Sequence, residues 1–208
     1  MPSFTLIAEK RSITYPLIGG IWLLVTLYAI AHDQYIVRIA PEHFTLYHAP
    51  IWNLSNPHLI AAAWAFKAAV LPGFLLGIAS TAVARHGPWP KLSPRLVLTG
   101  TLAVIALTEL ISFSVGLWTS NTGSPLFPDS FYPSHKLPLL TTQSIQLSCY
   151  LAAAFFSTAW LITMAIMRFR NRLVPEDRFL TAPPIERPTC PKPLVTHRSP
   201  HHQRDSRR

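Results

Sequence analysis

Charge is scarce in this chain. Asp, Glu, Lys and Arg make up 13% of its 208 residues, about half the share usual in soluble globular domains. Acidic residues are scarcer still, nine against 18 Lys and Arg, so the formal net charge is +9. Cysteine is nearly absent. Cys149 lies in an apolar run and Cys190 in a polar tail, and neither has the C-x-x-C partner that a dithiol redox site or a thiolate zinc site needs. Their different surroundings also argue against a mutual disulfide. There is no Walker loop, no dinucleotide fingerprint and no H-E-x-x-H motif, and no serine or cysteine has a base at readable spacing. These absences remove the common nucleotide-dependent, metalloprotease and triad-type activities. The expectation is a non-enzymatic protein without a cofactor.

What the chain has in quantity is apolar residues in blocks. Hydrophobic residues are 50% of the total, and they gather in four runs: 13–31, 59–84, 96–118 and 143–167. Each reaches or approaches the roughly 20 residues that cross a bilayer as a helix. The predicted fold class is an all-α membrane protein, a four-helix transmembrane bundle. The first run follows Lys10 and Arg11 and ends in Ala29-Ile30-Ala31, which resembles a signal-peptidase site. Extension back to Ile13 gives it spanning length, so a retained helix is the preferred reading.

Basic residues give the orientation. Lys10 and Arg11 precede the first span, Arg85, Lys91 and Arg95 fall at or between spans two and three, and Arg168, Arg170 and Arg172 follow the fourth. The two remaining loops carry only Arg38 and Lys136. By the positive-inside rule both termini are cytoplasmic. Residues 1–12 and 85–95 are then inner segments, 32–58 and 119–142 outer loops, and 168–208 an inner tail.

In the first outer loop, the β-prone stretches 35–39 and 44–47 flank Pro41 and predict a small hairpin. Asn56 and Pro57 read as the N-cap and first residue of the second span. The proline-rich tail has few large apolar residues and is expected to be disordered. From Arg168 onward it carries ten Lys or Arg against four Asp or Glu. Arg168, Arg170 and Arg172 are therefore placed against anionic lipid headgroups. The expected partners are the bilayer and a second membrane protein, with no nucleic acid.

Two ionisable residues interrupt the spans. Glu109 lies near the middle of the third, with Thr108 beside it and Ser112 one turn on, and Lys67 lies in the second at a comparable depth. A charge in the membrane needs a partner or a purpose. Glu109 reads first as a polar clasp between helices and, alternatively, as a proton relay. Lys67 is a conditional partner that can also snorkel to the interface. Gly73-Phe74-Leu75-Leu76-Gly77 is a G-x-x-x-G stripe suited to close helix contact. His32, His43, His48, His58 and His135 fall in the outer loops. Among them His43 and His48 are weak metal candidates, because a five-residue step is not a helical ligand pair.

Several stretches together resemble a family of small, functionally uncharacterised bacterial membrane proteins. They are Ala31-His32-Asp33-Gln34, Glu42-His43-Phe44-Thr45, Tyr47-His48-Ala49-Pro50, the region 64–77, and Trp89-Pro90-Lys91-Leu92-Ser93. His43 stands where the family pattern has tyrosine, and Trp89 where it has arginine. The resemblance covers about 31–95, under a third of the chain. It implies a four-span protein of the bacterial inner membrane and supplies no catalytic residue.

Overall fold

The computed structural model describes residues 10–173; residues 1–9 and 174–208, with Cys190 and most of the basic tail, lie outside the described residues. The described chain is helical: α1 (Arg11–Ile39), a single-turn α2 (Glu42–Thr45), α3 (Pro57–Arg85), α4 (Pro94–Thr122), a 3-10 turn at Asp129–Phe131, and α5 (Leu137–Leu173). The four long helices are long and apolar enough to cross a membrane. At 1.5 Å per residue, the 29-residue helices α1, α3 and α4 are about 43 Å long. The hydrocarbon core is about 30 Å thick. Each helix therefore overruns its predicted span, and α5 carries Arg168, Arg170 and Arg172 within its last turns, where the sequence predicts the start of a disordered tail.

The predicted hairpin is not there. Stretch 35–39 is the end of α1, and 44–47 begins in α2. In α1 the buried residues His32, Asp33, Ile36 and Val37 recur at helical spacing, and Ile36, Val37 and Phe44, all at most 1% exposed, pack with Ile60, Ala61 and Ala63 of α3. The period of burial is that of a helix, which overrides the β preference of the residues read singly. Pro41 ends α1, because the residue before a proline is driven out of the helical region, and Ala40 is extended accordingly.

The other helix ends follow their capping residues. The Asn56 side chain accepts from the backbone N–H groups of His58 and Leu59, with Pro57 in the first turn. Ser93 accepts from the N–H of Leu96 ahead of α4. Gly123, at φ 66°, closes α4 in the left-handed conformation that glycine tolerates best.

The helices associate as two close pairs, α1 with α3 and α4 with α5. In the first pair the glycine stripe meets α1 directly. A Cβ on Gly73 would lie 3.2 Å from Val25 Cβ, and one on Gly77 would lie 2.9 Å from the Ile18 carbonyl oxygen. In the second pair the ring of Trp160 occupies the space a Gly100 side chain would need, and Ile145 does the same at Gly116. Without a hydrophobic drive between helices in lipid, such backbone approach is what holds a bundle. Two apolar clusters terminate the bundle. One lies at the histidine-rich end around Phe44 and Ile60, the other at the arginine-rich end around Leu17, Val97 and Met164.

Arg168 pins the arginine-rich end. It is 4% exposed, and its guanidinium donates to the carbonyls of Val83 (2.6 Å), His86 (2.7 Å), Trp89 (3.0 Å) and Pro90 (2.9 Å). This differs from the headgroup role expected of it. Arg170 and Arg172 remain exposed, with Arg172 over the Trp89 ring.

Two consequences are measurable by unfolding in detergent. Gly77→Ala is expected to cost about 1–3 kcal/mol by overpacking against α1, whereas Gly19→Ala, with nothing near its added methyl, is expected to be neutral or stabilising. Arg168→Lys retains charge but not the planar fork, and is expected to lose on the order of 2–3 kcal/mol, with Arg170→Lys near zero. Equal effects within either pair of variants would contradict the packing described.

Candidate functional site

Glu109 lies one residue past the midpoint of α4 and reaches across to α1. Its Oε2 accepts from the Tyr28 hydroxyl at 2.9 Å and from His32 at 2.7 Å. A carboxylate only accepts, so Nδ1 of His32 carries the proton in that bond. The Tyr28 oxygen also lies 3.3 Å from Cys149 Sγ on α5, which is a free, buried thiol. One carboxyl thus joins α1 to α4, and Tyr28 extends the network to α5. Tyr28 and His32 stand four residues apart on α1, a spacing that puts both on one face.

The network is not saturated. His32 Nε2 is buried and has no hydrogen-bond partner among the described residues. The adjacent Asp33 is 6% exposed, and its side chain makes no hydrogen bond among the described residues. The Glu109 side chain itself stays 34% exposed while that of His32 is 4% exposed.

No family model, curated protein or solved structure matches the chain. The reading of the site therefore stands on the geometry alone.

The residues singled out in the sequence disperse around this centre. Lys67 does not pair with Glu109. It is exposed, and its Nζ sits 4.8 Å from the Trp64 ring centroid. Ser112 turns back into its own helix, donating to the Glu109 backbone carbonyl at 3.0 Å. Thr108 is 1% exposed, and its hydroxyl has no hydrogen-bond partner among the described residues. Neither hydroxyl bonds the carboxylate.

His32, Tyr28, Asp33 and Cys149 are absent from the sequence-based selection of site residues. His32 and Asp33 are hidden by the apparent end of the apolar run at Ala31. The signal that finds them is the helical spacing that continues through Tyr28, His32 and Ile36.

One cavity borders the centre at Tyr28, and a second recess opens at the histidine-rich end. The first, of about 710 Å³, lies between the helix pairs and is walled by Tyr28, Pro72, Val104, Thr108, Tyr150 and Ala153 among others. The second is more polar, of about 450 Å³, and is lined by His43, His48, Tyr132, Gln143, Gln146 and Tyr150. Tyr150 borders both.

His43 and His48 lie against one another, ring centroids 5.0 Å apart. No set of three His, Cys, Asp or Glu that could hold a metal occurs among the described residues. The His48 Nδ1–H donates to the His43 carbonyl at 2.7 Å, and the His43 Nε2–H donates to Gln146 Oε1. Gln34 and His58 exchange two bonds that tie α1 to α3.

Burial, reinforced by the neighbouring His48, lowers the His43 pKa from 6.5 to about 4, although its bond to Gln146 opposes the shift. The folded state therefore binds fewer protons than the unfolded chain between those values. Its contribution to stability is present above pH 6.5 and is lost as pH falls toward 4. Unfolding in detergent is expected to show a loss of roughly 2 kcal/mol between pH 7 and pH 5. His43→Gln should abolish that part of the slope. An unchanged slope in the variant would remove His43 as its source.

Proposed function

We propose that the protein is a small multi-pass membrane protein that takes up and releases a proton at the Glu109–His32 pair, as a proton-coupled carrier or subunit. The observation that carries this reading is the incomplete hydrogen bonding around the pair. A structural clasp satisfies the buried groups it brings together, and each native exception calls for an explanation. Here His32 Nε2 is buried with no hydrogen-bond partner among the described residues, the adjacent Asp33 is buried as well, and a cavity borders the network at Tyr28. That is the arrangement expected where a proton or a hydrogen-bonding solute passes. His32 is suited to the role because imidazole exchanges protons on either nitrogen.

The second reading is an accessory or scaffold component of the membrane, in which the same pair is a clasp. It is favoured by the way the hydrogen bonds fall, since those of Glu109 and Tyr28 link α1 to α4 and α1 to α5. The arginine distribution supports cytoplasmic termini in either case. The resemblance of 31–95 supports a bacterial inner membrane, and the exposed Arg170 and Arg172 support contact with anionic headgroups.

Infrared titration in nanodiscs separates the two readings. The relay requires a carboxylate-to-carboxylic-acid band change that disappears in Glu109→Gln and shifts in His32→Gln, with the fold retained. A titration spectrum unaltered by Glu109→Gln leaves the clasp. In that case Glu109→Gln should also preserve any partner that co-purifies with the wild type under gentle extraction.

A further inference from the structure

We infer that the recess at the histidine-rich end binds an uncharged, hydroxyl-rich molecule of the sugar type, held by the amides of Gln143 and Gln146 and the rings of Tyr47 and Phe131. At about 450 Å³ it falls within the roughly 300–1,000 Å³ of small-molecule sites. Three segments wall it: His43, Tyr47 and His48 at α2, Ser130, Phe131 and Tyr132 at the 3-10 turn, and the first four turns of α5. Gln143, Gln146 and Tyr150 stand at i, i+3 and i+7 on α5, which puts them on one face. Both loop walls are tied to that helix. His43 donates to Gln146. The Tyr132 hydroxyl accepts from the N–H groups of Leu126 (3.2 Å) and Phe127 (3.1 Å) and donates to Ser144 Oγ at 2.9 Å. The recess is thus formed before any occupant arrives, which lowers the ordering cost of binding.

The polar atoms of the wall remain available. The oxygen of Gln146 is taken by His43, which leaves its amide nitrogen over. That nitrogen, both ends of the Gln143 amide and Nε2 of His48 make no hydrogen bond among the described residues, yet none of these atoms is sealed in the interior. His48 carries its proton on Nδ1, bonded to the His43 carbonyl, so Nε2 is an acceptor. The wall offers donors and acceptors side by side, and a hydroxyl, which does both, answers either. No lining residue, among the described residues, is Asp, Glu, Lys or Arg. An anion meets no cation there and a cation no carboxylate, so a charged ligand would lose water without gaining a partner. The exposed rings of Tyr47 and Phe131 supply flat apolar surfaces that suit the C–H faces of a pyranose. A free sugar and the sugar headgroup of a glycolipid share this chemistry. The site lies apart from the Glu109–His32 pair and does not depend on the proton-binding reading.

The test is binding to the full chain in nanodiscs. Methyl α-glucoside is followed by saturation-transfer NMR, and glucosyl diacylglycerol built into the disc by native mass spectrometry. Saturable binding of at least one is expected. The glucoside alone assigns a soluble sugar, and the glucolipid assigns a headgroup. The charged counterparts are glucuronate and glucosamine for the free sugar and glucuronosyl diacylglycerol for the lipid. They should bind at least about tenfold more weakly. Gln143→Leu and Tyr47→Ala remove no hydrogen bond among the described residues, so the fold is kept, and each should weaken binding roughly fivefold. Tyr15→Phe, at the far end of α1, should leave it unchanged. No saturable binding of either sugar, equal binding of a charged counterpart, or indifference to both Gln143→Leu and Tyr47→Ala overturns the proposal.

Discussion

A carboxyl group half-way along an otherwise apolar helix has to be matched by donors from elsewhere in the chain, and in this protein the matching falls to α1. Tyr28 and His32 both bond to the same oxygen of Glu109. That requirement fixes the rotation of α1, because both side chains must face α4 while the adjoining surface, at Ile18, Trp22 and Val25, meets the glycine stripe of α3. It also explains why α1 continues beyond Ala31. A helix stopped there would lose His32, and with it the buried residues Ile36 and Val37 that seal the histidine-rich end.

Packing follows the same division of labour. Large apolar side chains close the two ends, and small residues bring helices together along the pairs. The middle is left to the polar centre and the cavity beside it. At the arginine-rich end the loop between α3 and α4 is held by two arginines, since Arg168 donates to the carbonyls of Val83, His86, Trp89 and Pro90 and Arg85 to that of Leu92. A planar guanidinium can satisfy several acceptors at once, so these two side chains order a loop that has little regular structure. The bundle is therefore stitched by hydrogen bonds at the centre and at both ends, and by close backbone contact between.

Much of the frame was legible in the residues. Apolar run length shows the four long helices, Asn56 marks where one of them begins, and Gly73 and Gly77 mark a contact face. Glu109 stood out by the cost of its position alone. Its partner did not, because His32 follows what reads as the end of a span and pairing between helices is a tertiary fact. Comparable depth suggested Lys67, but depth says nothing about which way a helix is turned, and Lys67 faces outward over Trp64. The stretch 35–39 misled because the β preference of single residues was read ahead of the helical recurrence of His32, Asp33, Ile36 and Val37. The cavity left no trace in the sequence, since alanines and a threonine at helical spacing look like ordinary packing.

The pairing of Glu109 with His32 underlies both the architecture and the proton-binding reading, and a double-mutant cycle measures it directly. Unfolding free energies in one detergent for the wild type, Glu109→Gln, His32→Gln and the double variant give the coupling energy. Residues in one hydrogen-bond network couple by about 0.5–3 kcal/mol, and a value in that range is expected here, with additive effects in the parallel cycle that uses Lys67→Met. Additivity between Glu109 and His32, or a larger coupling between Glu109 and Lys67, would contradict it.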